Sequence, residues 1–442
     1  MLLLLYTEKQ TNRLGYTLKL VFNELLGLDY VVTTDKEYFT SFEGAKISYG
    51  SEKICDELHI EKANNILFDT TIKYIDVDYF EDNGIDKIFR NYSNECGGYD
   101  VLGAVFYMVS RYEEYLPFIT DEHQRFSFQN SLAFKNNFLE KPVVNIWAKD
   151  LEKSIKERYN DLEIKERQFS FLNTIDVDQA YKYRHKSWYR ILGSIAKNIR
   201  NKNYKHVRQC LLVLLGRQKD TWDCFDWIIS QTEERRLRTI YFILFGYYNK
   251  YDKNINIYNT FFRSLIKKIS TNAQIGIHPS YYSMENPEGI VTSKKILSVC
   301  VHKPITQSRF HFLRFRLPDS YSDLIDCGIT DDYSMGYSNC VGFRAGICSA
   351  YNFYDLDKDC ETKLRIHPFQ TMDVAMKNGM KLDTTKAKEK IKQIVDEIAK
   401  VGGEYISVWH NESLSDDEQW QGWREVYKWQ LEYIKEIKDN IK

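Results

Sequence analysis

The chain has 442 residues, 43% hydrophobic and 28% charged, which supplies a sizeable core and excludes an intrinsically disordered polymer. Its 61 Lys and Arg balance 62 Asp and Glu, so the net charge of -1 calls globally for neither nucleic acid nor an acidic membrane. The length is about three times the roughly 150 residues typical of one domain, so two domains are expected.

Seven prolines exclude a Pro-rich stalk, and 32 Tyr suit either a sugar-binding surface or a Tyr-rich core. Residues 1–6 carry four consecutive leucines but no basic start. A signal peptide needs a charged start and roughly 7–15 apolar residues, so residues 2–6 read as a buried first strand. No run reaches the ~18 apolar residues of a membrane span. Without a targeting segment, the expected location is the cytoplasm. The nine cysteines are odd in number and lack CxxC spacing, which predicts free thiols in a reducing compartment. Cys340 and Cys348, the closest pair, bridge only if the chain between them folds back.

Along the chain, Leu2–Tyr6 predicts a strand, Arg13–Leu26 a helix with Leu14, Leu18, Val21, Phe22 and Leu25 on one stripe, and Tyr30–Thr33 a second strand. Residues 99–116 predict an aromatic amphipathic helix ahead of Pro117, and Lys149–Arg158 a charged helix. The polar stretch Asn160–Gln168 is the expected boundary between a 1–160 α/β domain and a 165–442 domain. Beyond it, strands are predicted at Phe169–Ile175, Thr239–Phe245, Ala273–Ile277, Phe310–Phe315 and Glu404–Trp409. A helical insertion occupies about 182–236. A helix over 384–400 places Ala387, Ile391, Ile394, Val395 and Ile398 on one face, with Gly402 beyond its end. Strands alternating with helices predict a parallel sheet or a (β/α) barrel.

In such folds chemistry sits past the C-terminal ends of the strands. There the sequence places Asn173-Thr-Ile-Asp-Val-Asp178, Ile275-Gly-Ile-His-Pro-Ser-Tyr281 and Val408-Trp-His-Asn-Glu412. The segment around Phe310 adds His311, Arg314 and Arg316. Carboxylates and imidazoles at several strand ends suit a metal hydrolase: some hold a divalent cation, one carboxylate takes a proton from water, and one imidazole returns a proton to the leaving group. Taken singly, each residue has a plainer role. Asp176 and Asp178 read as helix caps or loop residues, and His123 and His206 as hydrogen-bonded structural residues, while His367, before Pro368, fits either role. The combination of three strand ends favours the chemical reading.

The set Thr174-Ile-Asp-Val-Asp178, Gly276-Ile-His-Pro-Ser-Tyr281, Gly342-Phe-Arg-Ala-Gly346 and Val408-Trp-His-Asn411 resembles the polysaccharide deacetylases of carbohydrate esterase family 4, the NodB homology domain. Ser110-Arg-Tyr-Glu-Glu-Tyr115 and Pro142-Val-Val-Asn-Ile-Trp147 resemble the extra N-terminal domain of a divergent branch. The resemblance implies a distorted (β/α) barrel preceded by a smaller α/β domain. It also implies a divalent metal, often zinc, and removal of N- or O-acetyl groups from a glycan or amino sugar.

By that resemblance Asp176 is the base, Asp178 a metal ligand (the two roles are exchangeable), His278 a second ligand and His410 the general acid. Val408 lines the acetyl pocket, and Arg344 or Arg314 orients the base. The family's second motif carries two histidines four residues apart, and here Tyr282 stands at the second. A phenol is a poor zinc ligand near neutral pH, so His311 is the expected replacement, with water or Asp332 as alternatives.

Tyr281, Tyr282, Tyr333, Tyr337 and Trp409 are candidates to stack on sugar rings or to pack the barrel. The basic stretch 182–219 reads as a solvated helical face, or as a contact with an anionic glycan, a membrane surface or another subunit. Nucleic acid is not expected without a recognisable module, and a homo-oligomer is compatible with the pattern. Two other classes fit the same residues: a carbohydrate-binding protein with a weakened site, and a metal amidohydrolase on a non-sugar substrate.

Overall fold

The computed structural model describes residues 2–93, 95–415 and 417–441. Its first sheet contains β1 (Leu3–Thr7), β2 (Tyr30–Thr33), β3 (Ala45–Gly50) and β4 (Leu58–Glu61), in the order β2-β1-β3-β4 and parallel throughout. The leucine run of β1 fits this place, because a central parallel strand is covered on both faces; Leu3 and Leu4 are fully buried. The expected helix after β1 begins at Asn12, capped by the Thr11 hydroxyl accepting from Leu14 N at 3.2 Å. It widens into a π-helical stretch over Lys19–Leu25. A hairpin of β5 (Tyr79–Asp82) and β6 (Ile85–Ile88) follows.

Two helical expectations are corrected in this half. The 99–116 helix is confined to Val101–Val109 and is buried on every side rather than amphipathic. It stops because Arg111 adopts a left-handed φ of 55°. The charged helix begins earlier than expected and spans Val143–Arg158, burying Val143, Val144, Trp147, Leu151 and Ile155.

The second sheet contains β7 (Ser170–Val177), β8 (Thr239–Leu244), β9 (Gln274–His278), β10 (Gln307–Ser308), β11 (Asp331–Asp332), β12 (Tyr351–Asp355), β13 (Cys360–Ile366), β14 (Thr371–Met372) and β15 (Glu404–His410). The order is β12-β13-β11-β10-β9-β8-β7-β15-β14, parallel except for the β12–β13 hairpin. This is the mixed α/β architecture with parallel sheets that the strand–helix alternation predicts. Among the described residues no ladder joins β12 to β14, so barrel closure is not made by hydrogen bonding.

The expected strand over Phe310–Phe315 is absent. Its residues form a turn after β10, because Phe312 and Leu313 take left-handed φ values of 59° and 52°. The 182–236 insertion resolves into helices Trp188–Arg200, Tyr204–Leu214 and Phe225–Glu234. The helix Thr384–Lys400 is capped by Asp383 and buries the five apolar residues expected of it. Each fully buried Ile or Val there contributes about 1.5–3 kcal/mol. Gly402 at φ 61° allows the exit turn, where a Cβ would lie 2.1 Å from the Arg167 carbonyl. All nine cysteines are free, Cys340 and Cys348 included.

Strand alternation then sets the interior. On β7 residues Leu172, Thr174 and Asp176 share one face, as Ile240 and Phe242 do on β8 and Ile406, Val408 and His410 on β15. Leu172, Ile240, Phe242, Ile406 and Val408 pack with Phe369 and Met372 as a separate apolar cluster. The register sets His410 and Phe242 on either side of Asp176, and His278 beside Leu244. The polar end of this face is therefore assembled by the ladder itself.

The two halves of the chain are tightly joined. Phe343 N donates to Leu139 O at 2.8 Å and Val144 N to Gly346 O at 2.9 Å. Arg344 Nη2 donates to Glu114 Oε2 at 2.6 Å and its Nε to Glu114 Oε1 at 2.9 Å. Arg111 Nε reaches the same Glu114 Oε1 at 2.7 Å. From the first helix, Arg13 Nε meets Asp359 at 2.9 Å, Tyr16 donates to Asn352 O at 2.8 Å and Lys19 meets Glu361 at 2.6 Å.

Candidate metal centre

At the C-terminal ends of β7, β9 and β10, one ligand atom each from Asp178, His278 and His311 lies within 4.8 Å of the others. His278 Nε2 is 3.3 Å from Asp178 Oδ1, and His311 Nε2 is 3.4 Å from Asp178 Oδ2. His278 is the last residue of β9 and His311 sits in the turn after β10, where its N–H donates to Pro279 O at 3.1 Å. That hydrogen bond ties the two imidazole-bearing segments together.

The far side of each ring is also fixed. His278 Nδ1 donates to the Arg309 carbonyl and His311 Nδ1 bonds Asp252 Oδ1 at 2.6 Å. With the proton on Nδ1, each neutral imidazole turns the lone pair of Nε2 toward Asp178, an arrangement typical of metal-ligating histidines. Asp178 Oδ1 is buried and has no hydrogen-bond partner among the described residues. Lone pairs of two imidazoles and a carboxylate converge on one point, an arrangement relieved only by a positive charge between them. The donor set therefore fits a divalent cation, and its N₂O character suits zinc.

The protonation equilibria report the same field. Burial disfavours the His311 imidazolium, but Asp178 and Asp252 outweigh it and lift the group to about 9. Burial likewise opposes ionisation of Asp178, yet His311 and His278 hold its carboxyl well below the usual range.

Asp176 and His410 flank these three residues. Asp176 Oδ1 accepts from Arg309 Nη1 at 2.8 Å, while its Oδ2 lies 4.0 Å from His278 Nε2. His410 Nε2 is 3.9 Å from Asp178 Oδ2, and His410 Nδ1 bonds Asp373 Oδ1 at 2.8 Å. Asp373 also accepts from His410 N at 2.7 Å and from the Ser413 hydroxyl, which holds the carboxylate rigidly behind the ring. Burial disfavours the His410 cation, but Asp373 overcomes it and raises the pKa well above the ordinary value.

Several sequence-predicted residues lie elsewhere. Neither Arg344 nor Arg314 hydrogen-bonds Asp176. Arg344 is committed to Glu114, and Arg314 pairs with Glu285 and covers the Tyr281 ring at 4.6 Å. Asp332 is spent on Ser334, and burial pushes it up to about 6. His367 bonds Asp331 at 2.8 Å and stacks on Tyr333. Val408 is on the site face, but Trp409, its neighbour, points to the opposite face and donates to Gln430. Tyr281 is stacked on Tyr251 at 3.8 Å, and Tyr333 and Tyr337 are buried, so none of these rings is open to a sugar. Tyr282 is 40% exposed. A Tyr282→Phe protein is expected to keep its full metal content by elemental mass spectrometry; loss of metal would place the phenol among the ligands.

Three residues escaped the sequence reading. Arg309 is fully buried, bonds Thr174 as well as Asp176, and lies over the Phe242 ring at 4.5 Å. Asp252 is in the loop after β8, and Asp373 directly follows the two-residue β14. The signal available for Asp252 and Asp373 was their position past parallel strands. Two larger cavities lie away from this site. One of about 880 Å³ is at the opposite sheet end, between Phe171, Arg238 and Lys435, and one of about 890 Å³ lies between Asp82, Lys87 and Asp150. Neither gathers metal-binding groups with the geometry of the Asp178 cluster.

Residues 3–160 match a family of unknown function (DUF7033). No curated protein matches the chain. Among solved structures, a Mycobacterium smegmatis protein described as a polysaccharide deacetylase is similar at 13% identity and a TM-score of 0.39, covering 61% of this chain and 85% of that one. Puue allantoinase is similar at 9% identity and a TM-score of 0.36, over 61% and 85% of the two chains. A mutant CE4 family pseudoenzyme with restored enzymatic activity is similar at 8% identity and 0.31, over 62% and 64%. TM-scores this low establish neither shared topology nor activity, so function has to be read from the site itself.

Proposed function

We propose that this protein is a metal-dependent hydrolase that removes acetyl groups from an N- or O-acetylated sugar. The observation that carries this reading is the convergence of Asp178, His278 and His311 on one point, with Asp176 and His410 on either side. The motif resemblance supports the choice of an acetylated glycan as substrate.

Asp178, His278 and His311 would hold a divalent cation, which when bound would supply Lewis-acid polarisation of a carbonyl and acidify water. The remaining steps belong to the chain. Asp176 takes the proton from water through Oδ2, while Arg309 fixes its orientation through Oδ1. His410, protonated and held by Asp373, delivers a proton from Nε2 to the leaving amine or alcohol. Val408, at the floor of the face, excludes water beside the acyl methyl group.

The test begins with metal content of the parent and of His278→Ala by elemental mass spectrometry. About one equivalent in the parent, lost in the variant, is expected. Acetate release from acetylated amino sugars is then compared with release from simple amides. A parent that takes up no zinc on reconstitution would overturn metal dependence. Release from simple amides alone would overturn the sugar assignment.

A further inference from the structure

The insertion between β7 and β8 does not behave as an ordinary surface hairpin. From Lys182 to Lys219 the sequence carries eleven Lys and Arg and no Asp or Glu, although the whole chain has a net charge of -1. Lys182 pairs with Asp417, and Lys205 with Glu418. Lys197, Arg200, Lys202, Arg208, Arg217 and Lys219 are exposed and form no ion pair among the described residues.

The apolar side is equally unbalanced. Beneath the hairpin lies only a small cluster of Tyr183, Cys210 and Val213, flanked by Ile191 and Ile195. The helix Trp188–Arg200 has no buried residue at all. Trp188, Leu192 and Ile199, spaced four and seven residues apart on one stripe, are 73%, 56% and 49% exposed. Tyr204, Leu211 and Leu215 repeat the pattern on the second helix, at 64%, 46% and 67%. Lys197 lies on the face opposite the first stripe and Arg200 on its flank. Exposed Tyr247, Tyr248 and Tyr258 continue the patch on the loop that carries Asp252, with Arg190 over the Tyr248 ring at 4.2 Å.

We infer that the helical hairpin 188–215 is a docking surface for an anionic lipid bilayer, onto which the protein binds peripherally. Trp and Leu on one helix face, with Lys and Arg on the other, is the composition of helices that lie in the membrane interface. The excess of basic side chains selects anionic head groups. A second copy fits poorly, because pairing the two stripes would bring together two segments that each carry eleven Lys and Arg and no Asp or Glu. Contiguous exposed apolar surface of this kind marks an interaction site rather than a neutral exterior. Among the described residues no helix is long and apolar enough to cross a membrane. The patch borders the loop that holds Asp252, so docking sets the metal-site end of the sheet beside the bilayer.

Vesicle flotation of the full chain tests this independently of any hydrolase activity. Vesicles of phosphatidylcholine with about one-third phosphatidylglycerol are expected to bind at least about tenfold more protein than pure phosphatidylcholine. The excess should fall as salt is raised. Trp188→Ser/Leu192→Ser and Lys197→Glu/Arg200→Glu should each reduce anionic-vesicle binding several-fold while leaving the thermal unfolding midpoint and metal content unchanged. Equal binding to both vesicle types, no flotation, or undiminished flotation of both variants would overturn the inference. Binding to polyglutamate without flotation would assign the face to an acidic polypeptide. A dimer by light scattering that Leu192→Ser dissolves would assign it to a second copy. Either result would also overturn it.

Discussion

A His410→Ala protein is expected to lose about 100- to 10,000-fold in kcat for acetyl release, the range that positioned proton transfer contributes. Its metal content should stay at the parental level, because His410 stands 3.9 Å from Asp178 and outside the three-residue cluster. Full activity in this variant would remove His410 from the reaction. Asp373→Asn supplies the companion measurement. Burial lowers the His410 pKa and Asp373 raises it, so neutralising Asp373 must lower it. A general acid works only while protonated, so the alkaline limb of the kcat/KM–pH profile should move to lower pH in Asp373→Asn. An unmoved limb would show that another group delivers the proton.

The second large effect concerns stability. Glu114 is 8% exposed and holds both Arg344 and Arg111. Glu114→Gln leaves the buried Arg344 guanidinium without its counter-charge and Arg111 with Glu113 alone, and breaking a buried pair in this way costs about 3–5 kcal/mol. Chemical denaturation should show a loss of that size, and a change below about 1 kcal/mol would contradict it. Burial raises the Glu114 pKa, but Arg344 and Arg111 outweigh it and depress the folded value. The stabilisation is therefore present above the ordinary carboxylate range and is lost as pH falls through the depressed folded pKa. The parent should become acid-labile in that window, and Glu114→Gln should not show this component.

The sequence exposed those parts of the site that terminate long apolar strands. Asp176, His278 and His410 were legible because β7, β9 and β15 are continuous buried runs, and each polar residue breaks its run at the C-terminal end. His311 was named through the neighbouring aromatic segment, although the strand expected there is a turn. Arg309 was missed for the same reason. The two-residue β10 shows no periodicity, and the basic residues beyond it drew the reading past Ser308. Asp373 follows an equally short strand, and Asp252 sits in a long irregular loop, so only tertiary contacts bring them behind the two imidazoles. Arg344 is a candidate only through the resemblance of its glycine-flanked segment to a family motif. The glycines themselves serve packing: Gly342 and Gly346 take φ values of 131° and 65° where the loop is pressed against Leu139 and Met108.

The contacts of Arg13, Tyr16 and Lys19 with Asp359, Asn352 and Glu361 join residues 336 to 346 positions apart. During synthesis at about 5–20 residues per second, the first helix emerges roughly 17–70 s before its partners exist. For that time the side of the helix that later meets β12 and β13, including the Tyr16 ring whose centroid lies 5.0 Å from that of Tyr354, has no native cover. This face of the first helix is thus completed only when the last part of the polypeptide has been made.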